Sequence, residues 1–271
     1  MVFMETTKFI ISPEDEQYFG KMGSFGIPKF DKIMNGGVPR GFTILALTDP
    51  GAGAELFAKQ FLSPCEEPEN TVYISTNETS DEIMQVYDKY NWLNELQIIS
   101  IGSEYNTRVL GKELQASKYR LEGFNMNDIQ RLSQTRFVDD ETEDFLTEMA
   151  NSVMDRGPFF RCAVENLDFF FQRYEKSRVI SMLRMMQAHT QMAKGILLLC
   201  VSTDSLDTSI EREMSSLADM VLTFGVHMIG SEFETRMIVR KFRNAPENLS
   251  VMSYRVTPEE GITPETVQRI A

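Results

Sequence analysis

The strongest constraint on this chain is one short segment, Thr48-Asp49-Pro50-Gly51-Ala52-Gly53-Ala54-Glu55, set between two patterned runs. Before it comes an apolar stretch, Phe42 to Leu47. After it, Phe57, Ala58, Phe61 and Leu62 share one face at helical spacing. Strand, glycine loop and helix in that order are the context of the GxxxxGK[ST] phosphate-binding motif. Three motif positions are changed: Thr48 replaces the first Gly, Ala54 the Lys, and Glu55 the Ser or Thr.

These changes have a size. In the motif the lysine reaches the terminal phosphates and the hydroxyl holds Mg²⁺. Unit charges about 4 Å apart interact by roughly 4 kcal/mol at an effective dielectric near 20. Ala54 forfeits an attraction of that order, and Glu55, if it points inward, adds a comparable repulsion. Loop N–H groups and a helix N-terminus still favour an anion, yet Glu55 in the first turn can satisfy that same terminus. Asp49, Gly51, Gly53, Ala54 and Glu55 therefore read as a vestigial phosphate loop. The alternative is that the glycines simply make a tight turn.

Composition narrows the function class. A hydrophobic share of 42% and a charged share of 25% fit a soluble globular protein. The net charge of −13 argues against a broad nucleic-acid surface, though not against a local basic groove. Cys65, Cys162 and Cys200 show neither metal spacing nor an even disulfide framework, and the latter two lie in apolar runs as expected of buried thiols. No signal-peptide pattern opens the chain and no apolar run reaches membrane-spanning length, so the expected compartment is the cytoplasm.

Apolar, β-rich runs recur at Phe42–Leu47, Thr71–Ser75, Leu96–Ile101, Phe159–Val164, Gly195–Val201 and Met220–Phe224. Helical spacing predicts helices over 143–154 and 177–193. The acidic run Asp139 to Asp144 precedes the first of these, where the dipole favours it. The alternation predicts an α/β fold, a mostly parallel central sheet covered by helices on both faces. Glu234–Phe242 and Leu249–Thr257 read as an antiparallel pair at its C-terminal side, with His227 in a loop before them. Residues 104–138 have the poorest periodicity and read as a lid-like insertion or a mobile loop. Phe169-Phe170-Phe171 reads as core or interface packing, and Trp92 as a helix anchor.

The order of these segments resembles the KaiC branch of the RecA-like P-loop ATPases. Gly26-Ile27-Pro28-Lys29-Phe30-Asp31-Lys32-Ile33-Met34-Asn35-Gly36-Gly37-Val38-Pro39-Arg40-Gly41 is similar to that family's lead-in to the phosphate loop. Tyr73-Ile74-Ser75-Thr76-Asn77-Glu78 resembles its Tyr-Val-Ser-Leu-Glu-Glu segment, and Cys162 to Leu167 its Walker B strand. Leu217 to Val221 and Lys241-Phe242-Arg243 resemble its L-A-D-x-[VI] and late K-x-R. The resemblance implies a RecA-like fold over nearly the whole chain, with residues 1–25 as lead-in and 26–271 as one domain.

The resemblance also locates further departures. Asn77 stands at the first carboxylate of the family's Glu-Glu pair, and an amide cannot act as a general base. Glu78 keeps the second position, or serves as a helix-cap or salt-bridge residue. Glu165 occupies the Walker B Asp position, or is a strand-end carboxylate bonded to nearby N–H groups. Lys241 and Arg243 are retained; in the family such residues approach a neighbouring subunit's nucleotide, while the simpler reading is a charged pair on an edge strand. The expectation is a non-catalytic pseudo-ATPase with a regulatory or scaffolding role. It would be homo-oligomeric, with a protein partner and no cofactor, ATP being disfavoured. The rivals are a slow ATPase with rearranged ligands and a recombinase-like DNA-binding protein, which the charge disfavours.

Overall fold

The computed structural model of the chain describes residues 20–64, 69–92, 95–111, 144–230 and 232–269, with residues 114, 117 and 118. Cys65, residues 139–143 and most of 104–138 lie outside the described residues.

The strand run containing the loop becomes β3, Thr43–Thr48, after β1 (Met22–Gly23), α1 (Pro28–Ile33) and β2 (Val38–Pro39). Residues 43–47 are buried, so β3 reads as a continuous apolar run rather than an alternation. Ile44 and Ala46 face α2 (Ala54–Phe61), while Leu45 and Leu47 face the opposite layer. Phe57 and Phe61 of α2 are fully buried, and each contributes about 1.5–3 kcal/mol of apolar burial.

The chain continues through β4 (Thr71–Ser75), α3 (Ser80–Lys89), β5 (Leu96–Ser100) and α4 (Ile101–Tyr105), which widens into a looser turn to Leu110. Then come α5 (Phe145–Met154), β6 (Arg161–Val164), α6 (Asp168–Arg173), α7 (Lys176–Ala193), β7 (Ile196–Ser202) and α8 (Thr208–Leu217). The last strands are β8 (Met220–Ile229), β9 (Glu232–Phe242), β10 (Ser250–Thr257) and β11 (Gly261–Arg269). One nine-stranded sheet has the order β11-β10-β9-β8-β3-β7-β6-β4-β5. From β8 to β5 the pairs are parallel; β9, β10 and β11 are antiparallel additions. This is an α/β, RecA-like architecture with an antiparallel C-terminal extension.

Four expectations change. The extension has three strands, not two. His227 belongs to β8, paired with Glu234, rather than to a loop. Lys241 and Arg243 do not sit on a sheet edge, because β9 lies between β8 and β10. Arg161, not Phe159, opens β6; Phe159 adopts a left-handed φ of 60° just before it.

Residues 23–38 pack into the same core. Phe25 packs on Phe30 with ring centres 4.4 Å apart and the planes tilted by 41°, and Asp31 accepts hydrogen bonds from Ser24 Oγ and the Phe25 N–H. A Cβ on Gly37, whose φ is 120°, would lie 2.1 Å from the Gly23 carbonyl, so only glycine lets β1 and β2 close there. Phe169, Phe170 and Phe171 are buried in α6, and Trp92 stacks on Tyr90 at 4.6 Å beyond the end of α3. Burial pushes the Cys162 thiol up to about 12 and raises that of Cys200, so both are inert packing groups.

Candidate functional site

Strand β3, a loop at residues 49–53 and α2 make the strand–turn–helix of a phosphate loop. Gly51 and Gly53 hold φ of 81° and 74°, and a Cβ on either meets nothing within 4 Å. The backbone conformation, not crowding, requires glycine at both. No side chain caps the α2 N-terminus at Gly53. The loop is held from outside itself. Asp49 donates its N–H to the Phe224 carbonyl, and its carboxylate accepts from the Val226 N–H at 3.4 Å. The buried Tyr254 hydroxyl of β10 donates to the Ala52 carbonyl. Strand β8 and, through Tyr254, strand β10 of the antiparallel extension thereby set the position of the loop.

Ala54 is buried, at 6% exposure, and Glu55 is exposed in the first turn. The cation of this helix stands one turn further on. Lys59 is almost fully buried, and its Nζ reaches Glu78 Oε2 at 2.5 Å and lies 3.4 Å from the Glu55 carbonyl. It also sits 5.3 Å from the centre of the Tyr73 ring. A lysine loses its hydration there and is held by one carboxylate and one aromatic face.

Glu78 therefore acts as the salt-bridge residue of its alternative reading, not as a cap; Thr79 caps α3 in a capping box with Glu82. Glu165 follows β6 and is buried, its Oε2 accepting from Ser75 Oγ at 2.5 Å. Ser75 in turn accepts the Glu78 N–H at 2.9 Å, tying the two acidic positions through one hydroxyl. Burial raises the Glu165 carboxyl above the usual range and nearby Glu78 adds to that, while Ser75 and Lys59 oppose it. Asn77 is exposed, its N–H bonded to Ser75 Oγ. The buried Glu165, Ser75, Lys59 and Tyr73 and the part-exposed Glu78 thus form one polar cluster between α2 and the ends of β4 and β6. Lys59 was invisible to motif matching, since it occupies no motif position, whereas Ser75 lies in the matched Tyr73–Glu78 segment at the place of the family's serine.

Lys241 and Arg243 are not brought to this cluster. Arg243 N–H bonds the Asp219 carbonyl, and Asp219 N–H bonds the carbonyl of Thr43, the first residue of β3. The phosphate loop starts beyond Thr48, about 17 Å along the strand at 3.3–3.4 Å per residue. Lys241 Nζ donates to the carbonyls of Ser215, Ser216 and Ala218 at the end of α8. Arg243 pairs with the buried Asp219 carboxylate at 2.6 Å and lies over the Phe42 ring. Lys241 spends its three donors within its own chain, and Arg243 is paired there while remaining part-exposed.

A family model of the KaiC ATPase matches residues 23–265. The chain belongs to the KaiC family. Two curated relatives align over a short part of it. A UPF0273 protein of Methanopyrus kandleri is 31% identical over 70 residues, which is 26% of this chain and 28% of that protein. A UPF0273 protein of Pyrococcus furiosus is 31% identical over 68 residues, 25% and 28% of the two chains. The alignments thus span little more than a quarter of either relative. Among solved structures, the flagellar accessory protein FlaH of Methanocaldococcus jannaschii superposes with a TM-score of 0.63 at 16% identity, over 91% of this chain and 100% of that one. A KaiC-like protein of Pyrococcus horikoshii gives a TM-score of 0.63 at 17% identity, over 91% and 99%. At such identities the likeness is one of fold.

Within that family frame, the residues around the loop do not match what Mg·ATP takes from it. The ammonium position is hydrocarbon at Ala54 and the hydroxyl position is a carboxylate at Glu55. The nearest buried ammonium, Lys59, is already committed to Glu78. Among the described residues, no group of three or more His, Cys, Asp or Glu side chains is placed to hold a metal ion. Nor is any described helix long and apolar enough to cross a membrane.

Proposed function

We propose that this KaiC-family chain has given up ATP turnover and serves as a non-catalytic regulatory or scaffolding module. The observation that carries the reading is Lys59. The site's buried positive charge sits one turn down α2 and neutralises Glu78, while Ala54 fills the place from which a lysine would meet phosphates. An intramolecular ion pair thus stands in for the attraction between protein and nucleotide. Asn77 removes the general base from the equivalent of the Glu-Glu pair.

A module without chemistry acts through contacts, so association with further copies or with a protein partner belongs to the same proposal. Lys241 and Arg243 are poor probes of it, because reversing either charge breaks contacts inside the chain. Light scattering across a concentration series tests self-association directly; a strict monomer at every concentration removes that part of the proposal.

The test of the central part is a titration of the intact chain with Mg·ATP, followed by a phosphate-release assay. The expected result is no saturable heat and no turnover above background. Turnover that disappears in Glu78→Gln or Glu165→Gln overturns the reading in favour of an atypical ATPase.

A further inference from the structure

Strand β8 meets the phosphate loop at Phe224 and continues past it to Ile229, so the β8–β9 hairpin stands beside the loop. Met228 and Phe233 face each other across that hairpin, 73% and 77% exposed. Val256 of β10, 50% exposed, lies on the same face, two residues beyond the Tyr254–Thr235 pair. We propose that this apolar row docks a basic amphipathic helix of a partner protein. The proposal rests on the reading of the chain as a contact module and names the surface that makes the contact.

Side chains alternate along both strands. Phe224 and Met237 pair on the core face, Val226 and Thr235 come next, and Met228 and Phe233 follow on that same face. The row thus prolongs the core beyond the start of α2. One end of it is closed, since Val256 pairs with the buried Ile262. The opposite face of the hairpin is polar. His227 and Glu234 pair on it, and Glu234 holds Arg236 and Ser253. Exposed apolar side chains gathered on one face of an otherwise polar hairpin mark a contact surface.

Spacing and charge select the occupant. Neighbouring strands lie about 4.7–4.9 Å apart, so a row over three strands spans about 10 Å. The apolar stripe of a helix repeats about every 5.4 Å, so two turns laid across the strands match the row. Carboxylates surround it: Glu232 at the β8–β9 turn, Glu259 at the β10–β11 turn and Glu55 in the first turn of α2. All three are exposed, and none is ion-paired among the described residues. Lys29, near the β10–β11 turn, is paired with Glu260. Burial raises the Tyr254 hydroxyl and Glu55 adds to it, which sets that carboxylate beside the row's own face. Lysine or arginine flanking an apolar stripe complements such a rim, whereas nucleic acid is repelled by it. A net charge of −13 likewise opposes a second copy of this chain as the occupant.

The test titrates the full chain into a fluorescein-labelled peptide of about 18 residues, with leucine on one helical face and lysine on the other, read by anisotropy. Saturable binding is expected. Met228→Ser with Phe233→Ser should weaken it by about tenfold or more, with Phe233→Ser alone as the milder variant should the pair impair folding. Glu55→Gln with Glu232→Gln should weaken it by about threefold or more. Met185→Ser with Met192→Ser, which removes two exposed methionines from α7, should leave it unchanged. Peptides with glutamate in place of lysine, or alanine in place of leucine, should not bind. Absence of saturable binding overturns the proposal. So does an affinity indifferent to the row variants, one that follows the α7 variant, or equal binding of the glutamate peptide. A fall in the light-scattering mass of the chain itself in Phe233→Ser assigns the row to a second copy and overturns it as well. Mg·ATP turnover in the same preparation defeats the contact-module reading instead, whatever the peptide does, so the two failures are told apart.

Discussion

At the carboxyl ends of the parallel strands, α2, α3, α6 and α8 begin, with Glu55, Asp81, Glu82, Asp168 and Glu211 in their first turns. At the amino ends, α7 closes on Lys194 and Lys241 covers the last carbonyls of α8. Helix dipoles favour anions at the first end and cations at the second. In open α/β folds that bind nucleotides, the ligand's phosphates supply the anion at a helix N-terminus. Here the chain places its own carboxylates there, and the buried Lys59 pairs with a further carboxylate, Glu78, just ahead of α3. The two ends thus follow one electrostatic rule, with protein carboxylates at the helix N-termini and protein cations at the C-termini.

The two ends also differ in how they compensate buried charge, and variants can break that contrast. The largest effect is expected at the amino ends. Glu69→Ala leaves Arg40 and Arg161 without their shared carboxylate and should cost about 3–5 kcal/mol in denaturant unfolding. A loss under about 1 kcal/mol would mean that carbonyls from Ser24, Phe61 and Ser63 suffice for Arg161.

At the loop end, Lys59→Met should cost about 3 kcal/mol near neutral pH, because Glu78 and Glu165 lose their common cation. Much of that loss should return in the double variant with Glu78→Gln, since the two changes share one interaction. Additive losses would show that Lys59 acts by packing alone.

Most of the sheet was legible because its strands are buried on both faces, so β3, β4, β6 and β7 appear as continuous apolar runs. Helix α7 was legible from the spacing of Val179, Leu183 and Met186. Strand β11 was not, since Pro264 interrupts its pattern; it is tolerated because β11 is the edge strand and Pro264 faces the register shift after Ser253. The extent of β8 was hidden by Gly225, which ends the apolar run before His227. In the site, the phosphate-loop positions were readable from motif register. Lys59 was not, because a lysine on an amphipathic helix ordinarily marks the solvent face. Arg161 did leave a signal, a lone charge opening a buried strand, and such a charge demands a partner.

Lys241→Met tests the cation end at smaller scale. Removing three donations to the terminal carbonyls of α8 should cost about 1 kcal/mol by thermal or denaturant unfolding. No change would make the lysine an ordinary surface charge.

The smallest effect concerns Glu165. Its folded carboxyl is raised by burial, so its ionised form is disfavoured in the native state. Stability should therefore fall as pH rises from the ordinary carboxylate range through the raised value, then level off. Glu165→Gln should remove that fall and leave the variant at least as stable as the parent at neutral pH. A variant that is less stable there would show that the carboxylate is needed by Ser75 and Lys59 in its charged form.

The most direct measurement compares Mg·ATP binding by the parent and by Ala54→Lys with Glu55→Thr, using calorimetry under one set of conditions. The change removes a repulsion and adds an attraction, each of roughly 4 kcal/mol before solvent screening. The account predicts no saturable binding by the parent and clear binding by the variant. Phosphate release should stay at background in both, because Asn77 accepts no proton. A parent that binds Mg·ATP as well as the variant, or a variant that binds no better than a silent parent, would contradict the claim that this is a disabled phosphate site.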